Sequence, residues 1–556
     1  KAKLAEARVR GALGNIDLHG GNLSLTLSER MIDVRGEILL NGVPAKLAWQ
    51  RRLDAGPEEQ QPLKIIARLD NADRETLGLA VNDMISGDVP VVVTVKRDAN
   101  GKTLTSVQAD LGGAELFLET LPWQKPPGRA ASLRFDVARG KDGRTELQNF
   151  KITGDDIAIE GWVALDAKNQ LKAFYFPEFT LNVITQMDVS GRLREDGVLE
   201  VRVKSASYDG RPFFRALLTQ PRLPEKSPLN VKNRSPLDLV AEIDTMVGFT
   251  DTNLRNVKVS LKRRGNRITA LEAAANFSTG GAPLVVSVRA SSTGHRIMTT
   301  ETTDAGSAFR LIGFYGSIRG GEGNLRIDLD GQGHADKTGI LQVRRFAILG
   351  DEIVTEVLKP TEGNKRVMRE QFPFDLMRVS FETGHGQIVL GESYLRGPII
   401  GATLRGRMDY QTQTLALGGT YVPLSGFQGA FHGFPVLGEL MGEGLFGITF
   451  AIEGPMAKPN VLVNPLSLVT PGILRGIFDM APPSQTVQPR QDQRKQVSPP
   501  LSSSLPPIST EEEALRKNNV EPTQLSPQSQ QRRPEAQQPR YKVEPFEPFK
   551  SDQHRN

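Results

Sequence analysis

The sequence predicts a mainly β protein in which an antiparallel sheet curls over its own apolar face, as a sandwich or a half-tube. Residues 199–204, 257–262 and 325–330 alternate aliphatic and polar side chains almost without error. Successive strand side chains point to opposite faces, so each segment makes a strand with one apolar and one wetted face. An apolar face must be covered by a second sheet, by helices or by a hydrophobic ligand.

Turn signals separate the strand-length runs. Asn-Gly and Asp-Gly pairs are typical of the tight turns that join antiparallel strands. They recur at 41–42, 100–101, 142–143, 196–197, 209–210 and 330–331. This spacing predicts a succession of hairpins over residues 1–480.

Helices are predicted to be few. The clearest candidate covers residues 72–84, where Asn71 or Asp73 is a suitable N-cap and apolar residues recur at helical spacing. Shorter candidates lie at 307–313 and 435–442. These helices are too few to cover so much sheet, so the sheet is expected to close on itself.

Composition divides the chain near residue 480. Residues 481–556 are dominated by Pro, Gln, Ser and Arg, and they contain too few aliphatic side chains to offset the entropy of ordering. We therefore predict a disordered C-terminal tail. Before it we distinguish β-groove sections over 1–300, with the helix near 72–84, and a C-terminal region over 301–480.

Charge and cysteine content exclude several classes. The 556 residues include 69 basic and 64 acidic ones, for a net charge of +5, which gives little reason to expect a nucleic-acid partner. The chain has no cysteine, which excludes disulfides and thiolate metal sites and fits a bacterial envelope protein. No run of about 18 uncharged apolar residues is present, so no transmembrane helix is predicted. The chain is interpreted as the C-terminal portion of a longer protein, with its membrane anchor in the missing part.

No catalytic motif is found. A Gly-x-Ser-x-Gly elbow is absent, and the six histidines are scattered singly. His432, Glu439 and Glu443 come nearest to a metal-binding group but fit no known ligand spacing. We therefore expect neither an enzyme nor a metal or other cofactor.

The most specific motifs lie at the end of the ordered region. They include Leu-Gly-Gly-Thr-Tyr-Val-Pro at 417–423, Glu-Gly-Leu-Phe-Gly at 443–447, Ile-Glu-Gly-Pro at 452–455, Val-Asn-Pro-Leu-Ser at 463–467 and Pro-Gly-Ile-Leu-Arg at 471–475. Their order and spacing resemble the C-terminal region of AsmA-like proteins of the YhdP type. Asp-Ala-Gly-Ser at 304–307 and Asn-Gly-Val-Pro at 41–44 resemble earlier parts of that family. The resemblance is closest over 300–480, looser over 1–300 and absent from the tail.

The resemblance implies a long curled β-sheet that forms a half-tube with a hydrophobic groove. It implies a periplasmic protein of the Gram-negative envelope, anchored in the inner membrane, that passes phospholipid to the outer membrane and is not an enzyme. Under this interpretation the inward-facing strand residues line the lipid groove. These are Leu23, Leu25, Leu27, Val91, Val93, Val95, Leu199, Val201, Val203, Val257, Val259, Leu261, Leu325, Ile327, Leu329, Leu415 and Leu417.

Two further interpretations stay open at this point. The apolar residues of 427–450 either meet the outer membrane at the C-terminal end of the groove or simply cap the last strands. The residues in question are Phe431, Phe434, Leu437, Leu440, Leu445 and Phe446. The alternative function is a β-rich scaffold for outer-membrane protein assembly, as suggested for TamB-like relatives. Without the resemblance, a dry sandwich core would be the favoured explanation of the apolar faces.

Overall fold

The computed structural model of the chain describes residues 2–4, 8–13, 16–54, 61–97, 103–118, 121, 123–139, 144–167, 169–219, 235–331, 337–358, 371–398, 400–423 and 448–464. The chain divides into the compact units Lys1–Thr486 and Val487–Asn556. The second unit, which contains most of the predicted tail, lies outside the described residues.

The fold is mainly β, as predicted. The strands of the first half are β1 (Ala2–Leu4), β2 (Val9–Leu13), β3 (Ile16–His19), β4 (Leu23–Leu27), β5 (Met31–Leu40), β6 (Val43–Arg52), β7 (Leu63–Leu69), β8 (Ile85–Ser86), β9 (Val89–Arg97), β10 (Thr103–Asp110), β11 (Glu115–Leu118), β12 (Trp123–Lys125), β13 (Ala131–Arg139), β14 (Thr145–Gly154), β15 (Ile157–Leu165), β16 (Leu171–Leu181), β17 (Thr185–Leu193) and β18 (Leu199–Asp209).

The second half continues the same pattern with longer strands. They are β19 (Leu237–Val247), β20 (Asn253–Arg264), β21 (Arg267–Phe277), β22 (Pro283–Ala290), β23 (Arg296–Thr302), β24 (Ile318–Asp328), β25 (Lys337–Leu349), β26 (Gln371–Gly384), β27 (Gln387–Arg396), β28 (Ile400–Asp409), β29 (Thr414–Pro423), β30 (Ile448–Pro455) and β31 (Asn460–Asn464). The described helices are α1 (Asn71–Thr76), α2 (Arg211–Thr219), α3 (Ala305–Leu311) and α4 (Glu352–Leu358).

One sheet contains 28 of these strands, and β8, β11 and β12 form a small separate sheet. From β5 to β31 the neighbours in the main sheet follow the order of the chain, as in a meander. At the N-terminal edge, β3 and β4 both pair with the same side of β5. The sheet is not closed into a barrel. Hydrogen bonding continues through β22, β23 and β24, so the sheet has no break at residue 300.

The prediction of an antiparallel sheet holds with one exception. Strands β18 and β19 are parallel, with Leu199 opposite Leu237 and Asp209 opposite Val247. A parallel neighbour requires the chain to return to the starting edge of the sheet, and α2 begins that return. The Asp209–Gly210 pair, predicted as a hairpin turn, instead ends β18 and begins the helix. Asp209 accepts hydrogen bonds from the backbone N–H and the guanidinium of Arg211.

The two edges formed by the strand ends differ. At one edge, which we call the helix rim, β7, β18, β23 and β25 end and α1 to α4 follow. The small sheet lies there too, between β10 and β13. At the opposite edge, which we call the turn rim, most connections are short, as between Arg264 and Arg267 or between Gly384 and Gln387.

The predicted helix over 72–84 is shorter than expected. Asp70, and neither Asn71 nor Asp73, is the N-cap of α1, and the side chain of Asp73 completes a capping box by accepting from the Asp70 N–H. The helix ends at Thr76 with Leu77 as its C-cap, and Gly78 follows with a φ of +71°. The buried Arg74 guanidinium donates to the carbonyls of Leu69, Ile85 and Gly87 and so draws the following segment into turns.

The other helix predictions had mixed outcomes. The helix predicted at 307–313 is α3, which begins two residues earlier because Asp304 caps it by accepting from the Ser307 N–H. The candidate at 435–442 lies outside the described residues. Helices α2 and α4 were not predicted, because each is short; Asp351, which accepts from the Val354 N–H, was the available N-cap signal for α4.

At some positions neighbouring strands approach so closely that only glycine fits. A Cβ at Gly419 would lie 2.1 Å from the carbonyl oxygen of Thr403 and 2.7 Å from the ring of Phe450. A Cβ at Gly316 would meet nothing within 4 Å. The neighbouring backbone in the first case cannot move without breaking the β28–β29 ladder.

We therefore expect Gly419→Ala to destabilise the fold by about 1–3 kcal/mol, the usual cost of overpacking. Thermal unfolding followed by circular dichroism should show a midpoint lowered by roughly 2 °C or more. Gly316→Ala is the matched control and should shift the midpoint by less than about 1 °C. Equal shifts for the two variants would contradict the close approach at Gly419.

Candidate functional site

A large cavity lies against the apolar face of the main sheet. Its volume is about 3020 Å³, and its lining runs from Leu40 on β5 to Ile452 on β30. Typical small-molecule pockets do not exceed about 1,000 Å³. We call this cavity the groove, and the face of the sheet that lines it the concave face.

The two-residue period of the strands places apolar and polar side chains on opposite faces of the sheet, as predicted. On β20, Val257, Val259 and Leu261 line the groove, whereas Lys258 and Lys262 are exposed on the opposite face. This division is repeated on β18 and β24. The apolar lining is therefore a property of the alternating sequence in each strand.

On most strands burial increases towards the helix rim, although Leu237 on β19 and Val288 on β22 are buried near the turn rim. On β10, Ala109 is buried near that rim, Val107 is half-buried, and Thr103 is exposed at the turn rim. On β20, Leu254 and Val257 are each 4% exposed, whereas Val259 and Leu261 are only half-buried. The groove is therefore closed along the helix rim and more accessible towards the turn rim.

Most predicted groove residues line the groove. Those in contact with it are Val91, Val93, Val95, Leu199, Val201, Val203, Val257, Val259, Leu261, Leu325, Ile327, Leu329, Leu415 and Leu417.

The three predicted residues of β4 lie elsewhere. Leu23 and Leu25 pack with Ile38 in a core cluster at the N-terminal edge of the sheet. Leu27 is 62% exposed, because it ends an edge strand beyond the reach of β1. The six residues predicted to form a membrane-proximal end, from Phe431 to Phe446, lie outside the described residues.

Some lining residues were missed by reasoning from alternation. Phe150, Phe174 and Phe176 line the groove and stack in a row with Phe135 and Phe179. Bulges shift the register of β14 and β16 and break the two-residue period there. The density of aromatic residues between 174 and 179 was the available signal.

The helices also contribute to the lining. Helix α2 and the segment after α3 approach the turn rim. A Cβ at Gly386 would lie 2.3 Å from the carbonyl oxygen of Thr219, the last residue of α2. The ring of Phe314, just after α3, lies 6.0 Å from that of Tyr410. Gly386 and Tyr410 both lie in turns of the turn rim, so α2 and the segment after α3 reach across the concave face.

Charged groups at the helix rim are bound by the protein itself. Arg74, 3% exposed, donates all five N–H groups: three to backbone carbonyls and two to Asn71 and Asn82. Asp351 accepts from the Tyr315 hydroxyl at 2.5 Å and from the Val354 N–H. Burial, with a further contribution from Asp351, raises the pKa of Tyr315 far above its ordinary range.

The turn rim carries an ion-pair network of residues that are not part of the groove lining. Asp330 accepts from Arg296 at 2.7 Å and from Arg267 at 2.6 Å, and the hydrogen bonds from Arg296 hold the pKa of that carboxyl far below its usual range. His295 Nδ1 lies 2.7 Å from an Asp328 carboxylate oxygen. The hydrogen bond to Asp328 raises the pKa of His295.

Two searches of the described residues gave negative results. No group of three or more His, Cys, Asp or Glu side chains in this part of the chain is placed to hold a metal ion. Among the same residues, none of the helices has the length and apolarity needed to cross a membrane.

Comparisons with known proteins found no match to the chain among family models, curated proteins or solved structures.

We expect the imidazole of His295 to titrate above the ordinary value of about 6.5, because the Asp328 carboxylate stabilises its charged form. A folded-state pKa above the unfolded value means that the pair stabilises the fold fully below the unfolded pKa. That contribution is lost as the pH rises through the raised pKa. Imidazole NMR titration of the wild type and of Asp328→Asn should show the midpoint falling towards 6.5 in the variant.

Asp251→Asn, which removes a distant carboxylate, is the control and should leave the His295 midpoint unchanged. A wild-type midpoint at or below 6.5 would contradict the pair.

Proposed function

We propose that this chain binds the acyl chains of phospholipids in the groove and passes the lipids along it between two membranes. The observation that carries the proposal is the continuity of the apolar lining over consecutive strands from β7 to β30. Neighbouring strands are about 4.8 Å apart, and about twenty spacings give a contour of roughly 100 Å across the strands.

The energetics favour such a lining. Exposing an acyl chain to water costs about 0.8 kcal/mol per CH₂ group, so a two-chain lipid crossing unprotected would face a barrier of roughly 20 kcal/mol or more. Val, Leu and Ile side chains remove most of this cost at each strand. They offer no fixed hydrogen bonds, so no single position holds the lipid tightly.

The resemblance to AsmA-like proteins of the YhdP type gives this activity a proposed setting. In that setting the chain is the periplasmic C-terminal portion of an inner-membrane-anchored protein, and its C-terminal end faces the outer membrane. The groove supports the lipid ligand, whereas the compartment and the two membranes rest on the resemblance alone.

A carboxylate in the lining should block lipid binding. We expect Val259→Asp to lower the lipid-bound fraction by about tenfold, because dehydrating a carboxylate beside an acyl chain costs at least about 1.4 kcal/mol. Native mass spectrometry of protein purified with its lipids measures that fraction. Ser260→Asp, which places the same charge on the exposed face of β20, is the matched control.

The wild type should carry phospholipid, and the control should carry as much. Recovery of the wild type without lipid, after incubation with phospholipid vesicles, would contradict the proposal. Equal loss in both variants would attribute the effect to the fold and not to the groove.

A further inference from the structure

The charged residues that line the groove are distributed unequally between its two rims. Those at the turn rim are all cationic: Arg139 ends β13, Arg263 lies one residue before the end of β20, and Lys337 begins β25. The acidic lining residues, Asp83 and Asp351, lie at the helix rim. The electrostatic potential along the accessible side of the groove is therefore biased towards anions.

The turn rim is also the polar border of an otherwise apolar lining. Neutral hydrogen-bonding side chains there line the groove together with the cations: Thr103, Thr145, Asn169, Gln170, Ser235 and Thr383.

Two of the three cations are available for a ligand. Arg139 is exposed and Lys337 is half-buried, and within the described residues neither forms an ion pair. The third, Arg263, donates to the carbonyl oxygen of Ser235 at 3.3 Å. Among the described groove-lining residues of the helix rim, by contrast, the cation is Arg74, whose donors are all used.

We infer that the turn rim is the track of the lipid headgroup: the phosphate follows Arg139, Arg263 and Lys337 while the acyl chains point towards the helix rim. This inference rests on the proposed function. The three residues are separated by seven and five strand spacings, roughly 34 and 24 Å. A headgroup therefore contacts one cation at a time. Each contact is partly exposed and weak, so the phosphate can dissociate from one cation and move on to the next.

The test compares two lipids with identical acyl chains, phosphatidylglycerol and diacylglycerol. Vesicles of phosphatidylcholine doped with either lipid are incubated with the protein, and the lipid retained by the reisolated protein is quantified. We expect Arg139→Glu/Lys337→Glu to lower retention of phosphatidylglycerol by about fivefold and to leave diacylglycerol retention unchanged.

Lys64→Glu/Arg407→Glu is the matched control, because it reverses one lysine and one arginine on exposed positions outside the groove. This variant should retain both lipids like the wild type. Inorganic phosphate at matched ionic strength should not displace phosphatidylglycerol, because it has no acyl chains to hold it at the rim.

The outcomes separate the two proposals. If the wild type retains neither lipid, the proposed function fails and the headgroup track fails with it. If both lipids are retained and the double reversal at the rim affects them equally or not at all, the groove binds lipid but the track is wrong. Displacement by inorganic phosphate would assign the cations to a free anion instead.

Discussion

The structure depends on the two-residue period of the strands, which gives the main sheet an apolar face that, in the described part of the chain, short helices and the small sheet of β8, β11 and β12 cover only in part. Each strand of the main sheet from β7 to β30 contributes side chains to the lining of the same face, most of them apolar, and hydrogen bonds to its neighbours keep those faces in register. In a sandwich this surface would be covered by another sheet. Here it lines a cavity of about 3020 Å³ instead. The proposal of a lipid ligand follows from that cavity and its apolar lining.

The helix rim supplies the rigidity that an open sheet lacks. Buried cations stabilise it by binding backbone carbonyls: Arg74 connects β7, α1 and β8, and Lys125 donates to the carbonyls of Ala114, Pro126 and Arg129. Both are less than 5% exposed. These hydrogen bonds give partners to backbone carbonyls around the small sheet and so stabilise the helix rim. At the turn rim the groove-lining cations are less buried, since Arg139 is exposed and Arg263 and Lys337 are half-buried, and this rim is the more accessible one.

The sequence predicts those parts of the structure that a single strand determines by itself. Val257, Val259 and Leu261 could be placed on the concave face because the alternation in β20 is complete. The parallel pairing of β18 and β19 could not be predicted, since alternation carries no information about strand direction. Phe174 and Phe176 escaped prediction because a bulge interrupts the period of β16, and Leu27 was misplaced because alternation does not reveal an edge strand. The chemistry of the ligand likewise depends on how distant strands combine, as at Arg139 and Lys337.

Site-specific photo-crosslinking along one strand tests the central claim most directly. A photoreactive amino acid is placed in turn at each position from 257 to 262 on β20, and the protein is illuminated with phospholipid whose acyl chains carry a radiolabel. The groove predicts labelled adducts at 257, 259 and 261 and almost none at 258, 260 and 262. Adducts that are absent throughout, or that show no alternation between the two faces, would contradict an acyl-chain path along the concave face.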